Sequence, residues 1–340
     1  MPLNFKRAPG GAAPQYAIFG KLPRRADFVR INASHPVVQE FDDLLGRSLT
    51  VAAQTEGWQQ RYLASPPADF QFTSADGRWV FFGSLHPSQD EAGRCYPLVA
   101  GAILPADVVL PHLPELAIAN ELFFAGLRDQ LSSAIENSVE MLACRQFLEA
   151  QQVPSARADA DVELATNVLV RHLQQTPAAR LQRDLQNAGR GGLEDHLLAF
   201  TFYGELLRRY AGSTPRQALM LLLPSAPGED TLGNATWLSL YRAATQSTFA
   251  RFPHCITLQQ DGKRYLALAP ESFTDRFLAV LWGIAPEPRT VVNVLETSAP
   301  WSAHQSYAEV SYILGRQLAD PALDLYALQG IVEKLTRTLA

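Results

Sequence analysis

Cysteine is scarce in this chain. Cys95, Cys144 and Cys255 are odd in number and far apart, with no C-x-x-C pair and no histidine at ligand spacing, so neither a disulfide framework nor a zinc site is indicated. That usage fits a reducing cytosol. Long apolar runs are also missing: stretches such as Leu98 to Leu110 and Ala218 to Leu223 are too short to span a bilayer and are interrupted or ended by proline. Lys6 and Arg7 lead into Pro9, Gly10 and Gly11 rather than an apolar segment, so no secretion signal is expected. The expected setting is cytoplasmic, without direct membrane insertion. The N-x-S/T matches at Asn32 and Asn234 are then accidental.

Catalytic signatures are absent as well. Gly20-Lys21 suggests a phosphate loop, but Gln15 stands where that motif needs a glycine and Leu22 where it needs Ser or Thr. The seven histidines are scattered, and none pairs at i, i+4 with an intervening acid. His196, among Leu193, Leu197 and Phe200, reads as a packed helix residue. G-x-S-x-G is missing, and Asp90 with Ser88 or His86 lacks an identifiable third group to orient a base. No catalytic residue, cofactor or metal is therefore assigned. The formal net charge of −5 and the lack of an aromatic and basic strand argue against nucleic acid.

What is present is a globular composition. At 340 residues, with 47% hydrophobic and 19% charged residues, the chain has ample core material and exceeds the size at which one core usually stops growing. Two α+β domains are expected: a tail at 1–14, a first domain at 15–152 and a second at 160–340 that ends in helices, with the boundary at Val153 to Ala160. Tyr16 to Gly20 predicts a strand, and Val37, Phe41, Leu44, Leu45 and Leu49 mark one face of a helix. Phe70 and Phe72, Asp76-Gly77 and Trp79 to Phe82 predict a hairpin. Tyr96 to Leu104 reads as a central strand covered on both faces.

Helices follow on either side of the boundary, from Leu116 to Leu148, from Val162 to Leu173 and from Leu193 to Tyr210. Next come a strand at Ala218 to Leu223, a helix around Trp237, a hairpin from Cys255 to Ala269 turning at Asp261-Gly262, and a helix from Phe273 to Trp282. A strand at Val291 to Leu295 and helices from Tyr307 and Pro321 complete the reading. The second half repeats the strand, helix, hairpin order of the first, which leaves open two similar layers from an old duplication or a common arrangement.

Two segments are dense in Gly, Pro and paired charge. In Tyr16 to Arg30, Lys21, Arg24, Arg25, Asp27, Phe28 and Arg30 form a short charged segment with an aromatic at its centre. It suits either pairing with acidic groups of a partner or a solvated turn anchored by Phe28. In Gly83 to Leu98, Gly83 and Gly93 allow unusual backbone angles, and Ser88, Asp90 and Arg94 are close enough to bond across a turn. That suits a rigid connector or a recognition loop.

Together these segments resemble the two signature blocks of the TagF (ImpM) proteins of bacterial type VI secretion. Phe19, Gly20, Lys21, Leu22, Pro23, Asp27 and Phe28 match the first block, with Ala26 where glycine is usual. Phe41 and Leu45, then Trp58, Tyr62, Leu63, Ser65 and Pro66, follow in order, and Ala68-Asp69 stand where a Trp ordinarily precedes the strand. Ser88, Asp90, Gly93, Arg94, Tyr96, Pro97 and Leu98 match the second block. The match spans about Tyr16 to Leu104.

The resemblance implies an α+β fold with mixed or antiparallel sheets flanked by helices, and leaves a longin-like first domain open. It implies a non-enzymatic, post-translational negative regulator of type VI secretion. The implied partner is the forkhead-associated scaffold protein of that system or another base component, and the alternative is a structural adaptor that promotes assembly. Lys21, Arg24, Arg25, Asp27 and Phe28 are the first candidate partner-binding residues, and Ser88, Asp90 and Arg94 the second.

Overall fold

A computed structural model describes residues 15–137, 141–150, 160–203, 217–224, 228–245, 253–270, 272–285, 287, 289–292, 294 and 300–339. Strands β1 (Gln15–Gly20), β2 (Val29–Ile31), β3 (Ala68–Thr73), β4 (Trp79–His86), β5 (Leu98–Pro105), β6 (Leu219–Leu223), β7 (His254–Gln260) and β8 (Lys263–Ala269) form one eight-stranded sheet. Its order is β2-β1-β5-β4-β3-β7-β8-β6, and every pairing between strands is antiparallel. The fold is α+β.

Alternation along the strands divides the apolar residues between two cores. Along β5, Leu98, Ala100, Ala102 and Leu104 face one core, while Val99 and Ile103 face the other. The second core is covered by α1 (Pro36–Ala52), α2 (Trp58–Ala64) and α3 (Asp275–Leu278) with its 3₁₀ extension Ala279–Trp282. Pro36 occupies the first turn of α1, where its missing N–H costs nothing, and His35 Nδ1 accepts from the Val37 amide at 3.3 Å. The apolar face predicted from Val37 to Leu49 is the buried one, with Phe41 stacked on Phe70 at 4.4 Å between ring centres.

The first core is covered by a larger helical layer. It includes α4 (Leu113–Ala119), α5 (Glu121–Asn137), α6 (Ala160–Gln175) and α7 (Glu229–Thr245). Among the described residues no single helix is long and apolar enough to cross a membrane; Ala106–Ala119 and Glu121–Asn137 pass such a test only together and bend by 65° at their junction.

Both predicted hairpins form. The first runs through residues 74–78 with Gly77 at φ 72°, and at the second Asp261 and Gly262 adopt φ 50° and 73°, as a tight two-residue turn between right-twisted strands requires. Other expectations change. The strand expected at Val291 to Leu295 is reduced, among the described residues, to one parallel bridge from Ala218 to Val291. The helix expected over Leu193 to Tyr210 runs from Leu193 to Leu198 and continues as a π turn to Tyr203; the rest lies outside the described residues. The segment between Pro177 and Gly189 holds a further helix, Ala178–Asn187.

The expected boundary at 153–160 lies outside the described residues except for Ala160, where α6 begins. The sheet itself runs across that division. Strand β3 pairs with β7 through Phe70 opposite Ile256 and Gln71 opposite Cys255, and both cores draw residues from both halves. The second half supplies three strands to the first half's five, and the helix after its first strand, α7, lies on the face opposite α1.

Candidate functional site

The two charged segments meet around the carboxylate of Asp90. Gly20 ends β1 at φ 131°, and a Cβ there would lie 2.0 Å from the Pro97 carbonyl oxygen, so only glycine lets the first segment cross so close to the second. Lys21 then reaches Asp90, Nζ to Oδ2, at 2.9 Å. From the other side Arg94 donates Nε–H to Oδ2 at 2.7 Å and its backbone N–H to Oδ1 at 2.8 Å. The Ala92 amide adds a bond to Oδ1 at 3.1 Å. The Asp90 side chain is fully buried. Burial opposes its charge, yet the bonds from Lys21 and from the Arg94 amide and guanidinium hold its carboxyl well below the usual carboxylate range.

Backbone contacts lock the segments further. The Asp90 amide donates to Arg94 O at 3.1 Å, Gly93 closes the turn at φ 77°, the Glu91 amide donates to Arg25 O at 3.3 Å, and Arg94 Nη2 donates to Ala26 O at 3.1 Å. Tyr62 Oη donates to Ser88 O at 3.0 Å and accepts from the Ser88 amide at 2.9 Å. Tyr62 itself packs on Trp282, ring centres 5.0 Å apart. The Tyr96 hydroxyl bonds the Asp42 carboxylate, which also pairs with Arg30 at 3.0 Å. Phe28 sits edge-on to Tyr96 at 5.0 Å beneath the Arg30 guanidinium.

The eight candidate residues thus separate. Ser88 and Asp90 are buried, and Lys21 and Phe28 are half-buried parts of the frame. Placing Ser88 and Asp90 on a partner surface is corrected by this burial: they support the loops from inside. Arg24, Arg25 and Asp27 are exposed, with no ion pair among the described residues, and Arg94 lies beside them with 63% of its side chain exposed. Residues 25–31 border a shallow open depression at this tip.

Two other expectations are refined. Gly83 is extended within β4 and is required by close approach, since a Cβ would fall 2.0 Å from Ala100 O. Ala26 is not in the left-handed region, so alanine there carries no strain. His196 is buried, as expected, with Nδ1 2.9 Å from Gly192 O and its ring against Trp237, and burial lowers its pKa. Among the described residues no group of three or more His, Cys, Asp or Glu could hold a metal ion. Sequence reading missed the parts played by Tyr62, Asp42 and Arg30. Tyr62 had a signal in the ordered family match, and Arg30 in its place within the charged segment.

Fold and site define an α+β protein in which a pinned pair of loops presents exposed arginines. Residues 17–151 match the family described as the TagF N-terminal domain, type VI secretion system-associated. Among solved structures, the chain is similar to the crystal structure of PA0076 from Pseudomonas aeruginosa PAO1, at 24% identity over 45% of this chain and 76% of that one, with a TM-score of 0.37. No curated protein matches.

Proposed function

We propose that this protein is a cytoplasmic, non-enzymatic negative regulator of a type VI secretion system, acting after translation by binding and sequestering the forkhead-associated scaffold or another base component. The observation that supports this reading is the tip. Arg24 and Arg25 project from a loop joined to the second segment by the Lys21–Asp90 ion pair and by bonds from the Glu91 amide to Arg25 O and from Arg94 Nη2 to Ala26 O, and no carboxylate of the chain pairs with them among the described residues. Guanidinium groups on a rigid support suit bidentate pairing with carboxylates or phosphates of a partner, because little ordering remains to be done on binding. Asp27, two residues after Arg25, adds a group of opposite sign that fixes orientation.

Deleting the gene tests the direction of control. A repressor's loss raises type VI secretion; abolished secretion would instead identify an assembly adaptor. Rebuilding the complex from the pure protein and the scaffold tests the mechanism, with a fixed stoichiometric ratio expected and no complex at micromolar concentrations contradicting it.

A further inference from the structure

One edge of the sheet is open beside the arginine tip. Strand β2 is the last strand at that end and pairs with β1 from Ile18 opposite Ile31 to Gly20 opposite Val29. Among the described residues no backbone group pairs with its outer edge. The opposite end of the sheet differs. There Ala218, just before β6, bridges to Val291, with the Ala218 amide on Thr290 O and the Val292 amide on Ala218 O, each at 2.9 Å. The depression bordered by residues 25–31 joins the free edge of β2 to Arg25.

An unpaired edge is a template for an added strand, and the side chains along it decide which strand fits. Alternation sends Val29 and Ile31 to the first core, with Ile31 only half-buried. Phe28 and Arg30 lie on the other face, where the Arg30 guanidinium stands 4.8 Å from the Phe28 ring centre. A paired segment inherits that alternation, one face beside Ile31 and the other beside Arg30. Residues 24–31 hold three arginines and one aspartate. Arg30 is matched by Asp42, whereas Arg24 and Arg25 enter no ion pair among the described residues. Two β2 edges laid together would oppose these like charges, which disfavours a second copy of this chain.

We propose that the outer edge of β2 takes an extended acidic segment of a partner protein as an additional strand, its carboxylates alternating with apolar residues. Main-chain bonds to β2 set direction and register, apolar side chains lie beside Ile31, and carboxylates take Arg24 and Arg25 as counter-charges. A three-residue strand offers few main-chain bonds, so the ion pairs carry much of the affinity. The inference rests on the partner-binding role proposed for the tip and specifies the form of the partner there.

The test uses the full chain and two peptides of equal length and charge, repeats of Glu-Val and of Glu-Pro. Proline keeps a peptide extended but removes ladder donors. Calorimetry should show the Glu-Val peptide binding at least about tenfold more tightly, and hydrogen exchange of the β2 amides should slow with that peptide only. Reversing Arg24 and Arg25 to Glu together should weaken its binding by at least about tenfold. No binding of the Glu-Val peptide at millimolar concentration, equal affinity for both peptides, or unchanged exchange at β2 would overturn strand addition. Scaffold binding that still depended on the two arginines would then leave the role of the tip standing. Glu-Val pairing at β2 without any scaffold complex would support the edge site and count against the scaffold as its partner.

Discussion

Substituting Asp90 by asparagine leaves Lys21 and Arg94 facing one another without their shared counter-charge. The variant should unfold at lower temperature at neutral pH, because a hydrogen-bonded buried charge has been removed from two partners that remain. Its pH dependence should change too. The native carboxyl binds its proton less readily than the unfolded one, whose pKa is about 3.9. Asp90 therefore contributes stability above that value and loses it as pH falls toward the depressed native value. Thermal melts should show the wild type losing stability below about pH 4, with the gap to Asp90→Asn narrowing there. A constant gap would contradict the assignment. Gly20→Ala should cost at least about 2 kcal/mol, since strain at positive φ adds to a clash with the Pro97 carbonyl; denaturant titration measures it. The Asp90–Arg94 contact was legible in the sequence because the two residues are four apart across a glycine turn. Lys21 was not, since nothing local aims a lysine of one segment at an aspartate far along the chain.

Among the elements, α2 holds the second loop through a single hydroxyl. Tyr62→Phe keeps the ring against Trp282 but orphans the Ser88 amide and leaves the Ser88 carbonyl only the Tyr96 amide, which should cost about 1–3 kcal/mol. An unchanged denaturation midpoint would show that the hydroxyl is not what holds Ser88. The hairpins, β5 and α1 were legible because period-two alternation, Asp-Gly turns and an apolar helical face are local signals. Strand β2 and helix α2 were not. The strand is three residues long within a charged segment, and the helix is seven residues with one buried side chain, Tyr62. The strand expected near Val291 failed for a related reason: apolar β-branched residues suit a sheet edge, but only Ala218 and Val291 pair there among the described residues.

Across the whole molecule, the sheet and both cores pass through the junction of the two halves. Phe70 belongs to β3 and Ile256 to β7, yet they are register partners in one core. Two core-sharing halves should unfold in one cooperative transition, with calorimetric and van't Hoff enthalpies in agreement; two separate transitions would contradict this. A fragment ending near residue 152 would expose the β3 edge and the face of Tyr62 that lies against Trp282, and should aggregate or fail to fold. Sequence suggested two domains because length and a proline-containing polar segment are read locally, whereas the β3 to β7 pairing joins strands on either side of that segment. The most direct measurement of the central claim follows from this rigidity: affinity of the full chain for the forkhead-associated scaffold, with and without Arg24→Glu and Arg25→Glu together. The account predicts at least about tenfold weaker binding with an unfolding midpoint unchanged, because both side chains are exposed and unpaired. Undiminished affinity in the folded variant would contradict it.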